Sequence, residues 1–147
     1  MRIRDYALCL ALLAACGERK EAPKGPGGHG HAEHVAPHGG EILELGGGAA
    51  HLEIIHDHDG GNLTVYILGA DLKTPIAVET PAVNLMTKEG TATVVLTAIE
   101  PGADGRASAW TGAHEGLKAD PWDGRIRVKI GDKNYQSPLE GEGHDHK

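Results

Sequence analysis

From about residue 41 onward, short runs of apolar residues alternate with polar positions, and clusters of Gly, Pro, Asn and Asp interrupt them every eight to twelve residues. Side chains of a strand alternate between two faces, so this period-two pattern predicts half-buried β-strands. They fall at 41–45, 49–57, 62–68, 75–79, 82–87, 91–99, 106–111, 125–130 and 133–138, and no long helix is required. The clearest alternation is Arg125-Ile126-Arg127-Val128-Lys129-Ile130, whose aliphatic positions face a core while the cations face water. Leu63, Val65 and Ile67 make a second inward face, and Ala92, Val94, Leu96 and Ala98 a third. Turn chemistry sets the connections: Asp59-Gly60-Gly61-Asn62 and Gly131-Asp132-Lys133 read as hairpins, Gly46-Gly47-Gly48 joins 41–45 to 49–57 with Leu45 opposite Ala49 or Ala50, and 113–119 fits a single helical turn. The expected fold is all-β, a small antiparallel β-sandwich, Ig-like or barrel-like, with disordered N- and C-terminal tails.

The ends of the chain break this pattern. Residues 1–15 have Arg2 and Arg4 ahead of an apolar run from Ala7 to Ala15, the layout of a secretion signal too short to span a bilayer as a resident helix. Leu13-Ala14-Ala15-Cys16 resembles the lipobox of bacterial lipoproteins, which implies that Cys16 becomes the lipidated first residue and that the membrane is a partner through this anchor. Gly17 after it favours outer-membrane placement facing the periplasm. Residues 16–36 are dense in Gly, Pro and charge and read as a flexible tether; 37–139 is the sandwich; 140–147 is a second polar tail.

Composition narrows the chemistry. With a formal charge of −7 and no Lys/Arg cluster evident along the sequence, nucleic acid is not an expected partner. With five aromatic residues and no Phe, the core is expected to be built from Val, Ile, Leu and Ala. Loss of Cys9 with the signal and lipidation of Cys16 leave no thiol, so soft thiolate chemistry is not expected. No G-x-S-x-G and no phosphate loop occur, and a non-enzymatic role is expected.

Ten histidines are the anomaly, and seven lie in three groups, at 28–34, 56–58 and 144–146. His29, His31 and His34 sit in the tether, and His144 and His146 in the tail. The stretch HLEIIHDHD at 51–59 is the candidate for a preorganised site. Alternation puts His51, Glu53, Ile55 and Asp57 on one face and Leu52, Ile54, His56 and His58 on the other. Two glycines after His38 let the backbone reverse closely, which would bring His38 to converge with His56 and His58, with Asp57 or Asp59 as carboxylate. His51 and Glu53 form either a second pair or a solvent-facing hydrogen bond. His114 and Glu115 are expected to be solvated loop residues. Imidazole and carboxylate donors suit a divalent transition metal, Zn²⁺ or Cu²⁺.

The segments Pro37-His38-Gly39-Gly40-Glu41-Ile42-Leu43-Glu44-Leu45-Gly46 and His51-Leu52-Glu53-Ile54-Ile55-His56-Asp57, with Val65-Tyr66-Ile67-Leu68, resemble small exported bacterial domains. They are also similar to the N-terminal PHGG-containing segment of periplasmic adaptor subunits of cobalt–zinc–cadmium efflux systems. The resemblance covers about Pro37 to Leu139. It implies a heavy-metal role, with an efflux adaptor as a partner. Two functions stand at this point: a lipid-anchored periplasmic protein that buffers or delivers zinc or copper, or a non-catalytic envelope interaction module whose histidines only solubilise it.

Overall fold

The computed structural model describes residues 35–119 and 121–141. Within them run β1 (Glu41–Leu45), β2 (Ala50–Asp57), β3 (Asn62–Gly69), β4 (Ala82–Thr87), β5 (Gly90–Val94), β6 (Leu96–Ile99), β7 (Ala109–Ala113), a 3-10 turn (Glu115–Lys118), β8 (Trp122–Ile130) and β9 (Lys133–Gly141). They form two antiparallel sheets, one of five strands in the order β1-β2-β3-β7-β6 and one of four in the order β5-β4-β8-β9. The protein is therefore an all-β sandwich of two open sheets and not a closed barrel.

One core lies between the sheets. Leu52, Ile54, Leu63, Val65 and Ile67 come from the first sheet, and Val83, Leu85, Ile126 and Val128 from the second. Each such aliphatic side chain contributes about 1.5–3 kcal/mol relative to exposure. The expectation of a purely aliphatic core is corrected, because Trp110 and Trp122 are both buried in it. An indole N–H must find an acceptor when buried. Trp110 Nε1 donates to the Ala107 carbonyl at 3.0 Å.

Three local readings differ from the sequence pattern. The run 91–99 is two strands, β5 and β6, which belong to different sheets, and the chain crosses between them at Val95, 77% exposed. The inward face of Val94 and Leu96 survives the crossing, which is why alternation alone did not show it. Segment 75–79 makes only isolated bridges, Leu68 with Pro75 and Val78 with Ala107, since a proline cannot donate to a ladder. At the end of the domain, β9 runs on through Glu140 and Gly141, past the boundary expected at Leu139. Gly141 faces Trp122 across the ladder, and any side chain there would collide with the indole.

Candidate functional site

β2 carries the site because its two faces are both enclosed. The β1–β2 hairpin sets Leu45 opposite Ala50, and the β2–β3 hairpin sets Asp57 opposite Asn62 and therefore Glu53 opposite Tyr66. Leu52 and Ile54 point into the core, and His51 and Glu53 point out of it, yet Glu53 is 0% exposed. What covers Glu53 is the turn preceding β1.

Gly39 adopts a φ of +80°, which reverses the chain. Gly40 lies so close to β2 that a Cβ would collide with the Ile54 carbonyl oxygen. The two glycines thus serve different ends, one a backbone conformation and the other a close approach. Together they wrap three donors around one carboxylate. Glu53 Oε1 accepts from the His38 N–H at 2.6 Å and the Gly40 N–H at 3.1 Å, and Oε2 accepts from His38 Nδ1 at 2.7 Å. The His38 ring lies flat on Tyr66, centroids 3.8 Å apart and planes 6° apart. Burial pushes the Glu53 carboxyl up, but the bond from the His38 ring, then those from the Gly40 and His38 N–H groups, together hold it below its ordinary value of 4.5.

The inner end of β2 is also fastened. His56 Nε2 donates to the Leu117 carbonyl at 2.7 Å, and His56 Nδ1 accepts from Trp122 Nε1 at 3.3 Å. The two rings are 5.0 Å apart at 60°. One imidazole thereby ties β2 of the first sheet to the 3-10 turn and to β8 of the second.

Hydrogen bonding also sorts the histidines by tautomer, and a ligating nitrogen needs a lone pair. A carboxylate only accepts, so the proton of neutral His38 sits on Nδ1 and the lone pair on Nε2. The side chain is 40% exposed. His51 donates Nδ1–H to the Gly69 carbonyl at 3.1 Å, but its ring is 2% exposed and closed to an ion from solvent. His56 has both nitrogens committed. His114 caps the 3-10 turn, its Nδ1 accepting from the Gly116 N–H at 2.9 Å, which leaves the proton on Nε2. His58 lies edge-on to His56, 6.1 Å between ring centres. Asp57 is spent on its turn, accepting from Asn62 Nδ2 and the Gly60 N–H, and these bonds in that order lower its pKa. Glu115 pairs with Lys118 at 3.0 Å.

The expected convergence of His38, His56 and His58 with Asp57 is therefore corrected. His38 goes to the outer face with Glu53, half-buried His56 has both ring nitrogens hydrogen-bonded on the inner face, and Asp57 holds the hairpin. Nor do His51 and Glu53 face solvent, since both are buried. Among the described residues no group of three or more His, Cys, Asp or Glu is placed to hold a metal ion. Cys16, His29, His31, His34, His144 and His146 lie outside the described residues. Tyr66, Trp122 and Leu117 were missed. The hairpin turn at 58–61 held the signal for Tyr66, because counting back from it sets Tyr66 opposite Glu53; nothing local in the sequence marked the other two.

These features define an open two-sheet sandwich with a clamped histidine on its outer face. In comparisons with known proteins, no family model, no curated protein and no solved structure matches the chain.

Proposed function

We propose that the chain is a lipid-anchored, periplasm-facing binding protein for a divalent transition metal, zinc or copper, and that it buffers the metal or passes it to an efflux adaptor. The observation that carries this reading is His38. Its Nδ1 is bonded to a buried carboxylate and its ring is braced on Tyr66, so a lone pair on Nε2 is presented from a fixed ring. Histidines that ligate metals almost always give the other ring nitrogen to such an acceptor, which fixes the tautomer and raises the basicity of the ligand. One imidazole does not complete a site, and the remaining donors in this proposal are His29, His31 and His34, which lie a few residues upstream, with His144 and His146 as further collectors. Cys16 supplies the lipid anchor.

Equilibrium dialysis of the full-length chain, stripped with EDTA and then offered Zn²⁺ or Cu²⁺, tests this. At least one ion per chain is expected at micromolar metal. Glu53→Gln, which removes no ligand, is expected to weaken binding by about 10–100-fold. His38→Ala and the triple change His29→Ala/His31→Ala/His34→Ala are expected to weaken it as well. No binding at micromolar metal, or full affinity in both His38→Ala and Glu53→Gln, overturns the proposal. A second reading, a non-catalytic envelope interaction module, is favoured by His56, whose two nitrogens serve to tie β2 to the 3-10 turn and to β8. Variants that lose stability but never metal affinity support it instead.

A further inference from the structure

The outer face of the four-stranded sheet carries a charge pattern that the metal reading does not use. β8 is an inner strand of that sheet, and it points Arg125, Arg127 and Lys129 outward in succession. Alternate strand positions place them roughly 7 Å apart in a line. Their cross-strand neighbours are uncharged. Arg125 lies between Asn84 and Pro138, Arg127 between Ala82 and Gln136, and Lys129 faces Asn134. Among the described residues none of the three cations takes part in an ion pair. In a chain of net charge −7, this is a local inversion of sign.

The surface there is hollowed. Two adjoining depressions, each of about 520 Å³, share Arg127: one continues past Arg125 and Asn84, the other past Lys129 and Asn134. The side chains are ordered by their neighbours. Gln136, with its amide oxygen turned to the guanidinium, accepts from Arg125 Nη1 at 3.2 Å and Nε at 3.3 Å. Asn84 accepts from Thr93 Oγ1 at 3.0 Å through its amide oxygen, and its NH₂ group remains a donor by type. Asp123 and Glu140 close the far end of the first depression, so a negative ligand is confined to the stretch from Arg125 to Lys129.

The geometry points to a binding groove for a linear acidic polysaccharide. Guanidinium forks match carboxylates in a bidentate manner. The flanking amides and hydroxyls suit sugar hydroxyls. The outward positions of this sheet hold no aromatic ring on which a nucleic-acid base could stack. A row of three charges fits a polymer with repeating charge better than a single headgroup. This site is remote in role from His38 and does not depend on metal.

The test is affinity electrophoresis of the full-length chain, with EDTA present, through gels containing polygalacturonate or neutral dextran. Retardation by polygalacturonate and none by dextran is expected at about 50 mM NaCl, falling away at about 500 mM as screening shortens the reach of the charges. Arg125→Gln/Arg127→Gln, two exposed positions, is expected to keep the wild-type melting temperature and to weaken retardation at least about tenfold. His38→Ala is expected to bind polygalacturonate as wild type does. No retardation at low salt, equal retardation of the double variant, or retardation by dextran overturns the assignment. So does tighter binding to single-stranded DNA than to polygalacturonate, or retention on phosphatidylglycerol vesicles beyond that on phosphatidylcholine vesicles that Arg125→Gln/Arg127→Gln abolishes, the phosphatidylcholine arm subtracting insertion through the anchor.

Discussion

Replacing Glu53 with Gln isolates what its charge contributes, because shape and volume are kept. The carboxylate is 0% exposed and accepts three hydrogen bonds, two from N–H groups of the backbone and one from an imidazole. A bond to a charged acceptor contributes about 1.5–3 kcal/mol and a neutral one about 0.5–1.5, so three bonds lose about 3 kcal/mol together. The Gln amide nitrogen also meets an N–H where an oxygen stood. For a domain of this size, that loss lowers the melting temperature by more than about 10 °C. Urea unfolding followed by the fluorescence of Trp110 and Trp122 measures it, at pH 7 with EDTA, against the exposed control Glu79→Gln. The pH dependence supplies a second check. The folded Glu53 carboxyl titrates below 4.5, so its contribution is complete above that value and is lost as pH falls through the lower, folded value. The gap between wild type and Glu53→Gln is therefore expected to be widest near neutrality and to close on acidification. A loss under about 0.5 kcal/mol at pH 7 would refute the reasoning, since surface changes alone stay within that range.

Two further substitutions probe the fastenings of β2. In a double-mutant cycle, His56→Ala and Trp122→Phe are expected to couple by about 0.5–3 kcal/mol, and urea unfolding that shows them simply additive removes the Trp122–His56 bond from the account. Gly40→Ala drives a Cβ into the Ile54 carbonyl and is expected to cost about 1–3 kcal/mol. In ¹H NMR the same variant is expected to lose the ring-current shift that Tyr66 imposes on His38, and an unchanged shift means the turn tolerates the methyl group.

The strands were legible where one strand has one job. Ile126 and Val128 are buried between exposed cations, as alternation required, and Leu45 pairs with Ala50 as the glycine turn allowed. The crossing at Val95 was not legible, because the inward face reads continuously through it while the hydrogen-bond partners change. The site was half legible for a related reason. Period two divided Glu53 from His56 correctly, but it says nothing about which face the preceding turn folds over, and His38 was assigned to the wrong partner. Alternation likewise sends Arg125, Arg127 and Lys129 to water but carries no information about their cross-strand neighbours. Only the register shows that Asn84, Pro138, Ala82 and Gln136 set no negative charge opposite those cations.

The turn around Glu53 also has a mechanical consequence. Any pull transmitted into the domain through the residues before Val35 meets the three bonds at Glu53 before it meets the ladder between β1 and β2. β1 is an edge strand, the easiest element to peel, and its first residue lies directly after the turn. The clamp works as the strain relief on a cable does, taking such a pull at a fixed point so that the edge of the sheet is not unzipped from its end.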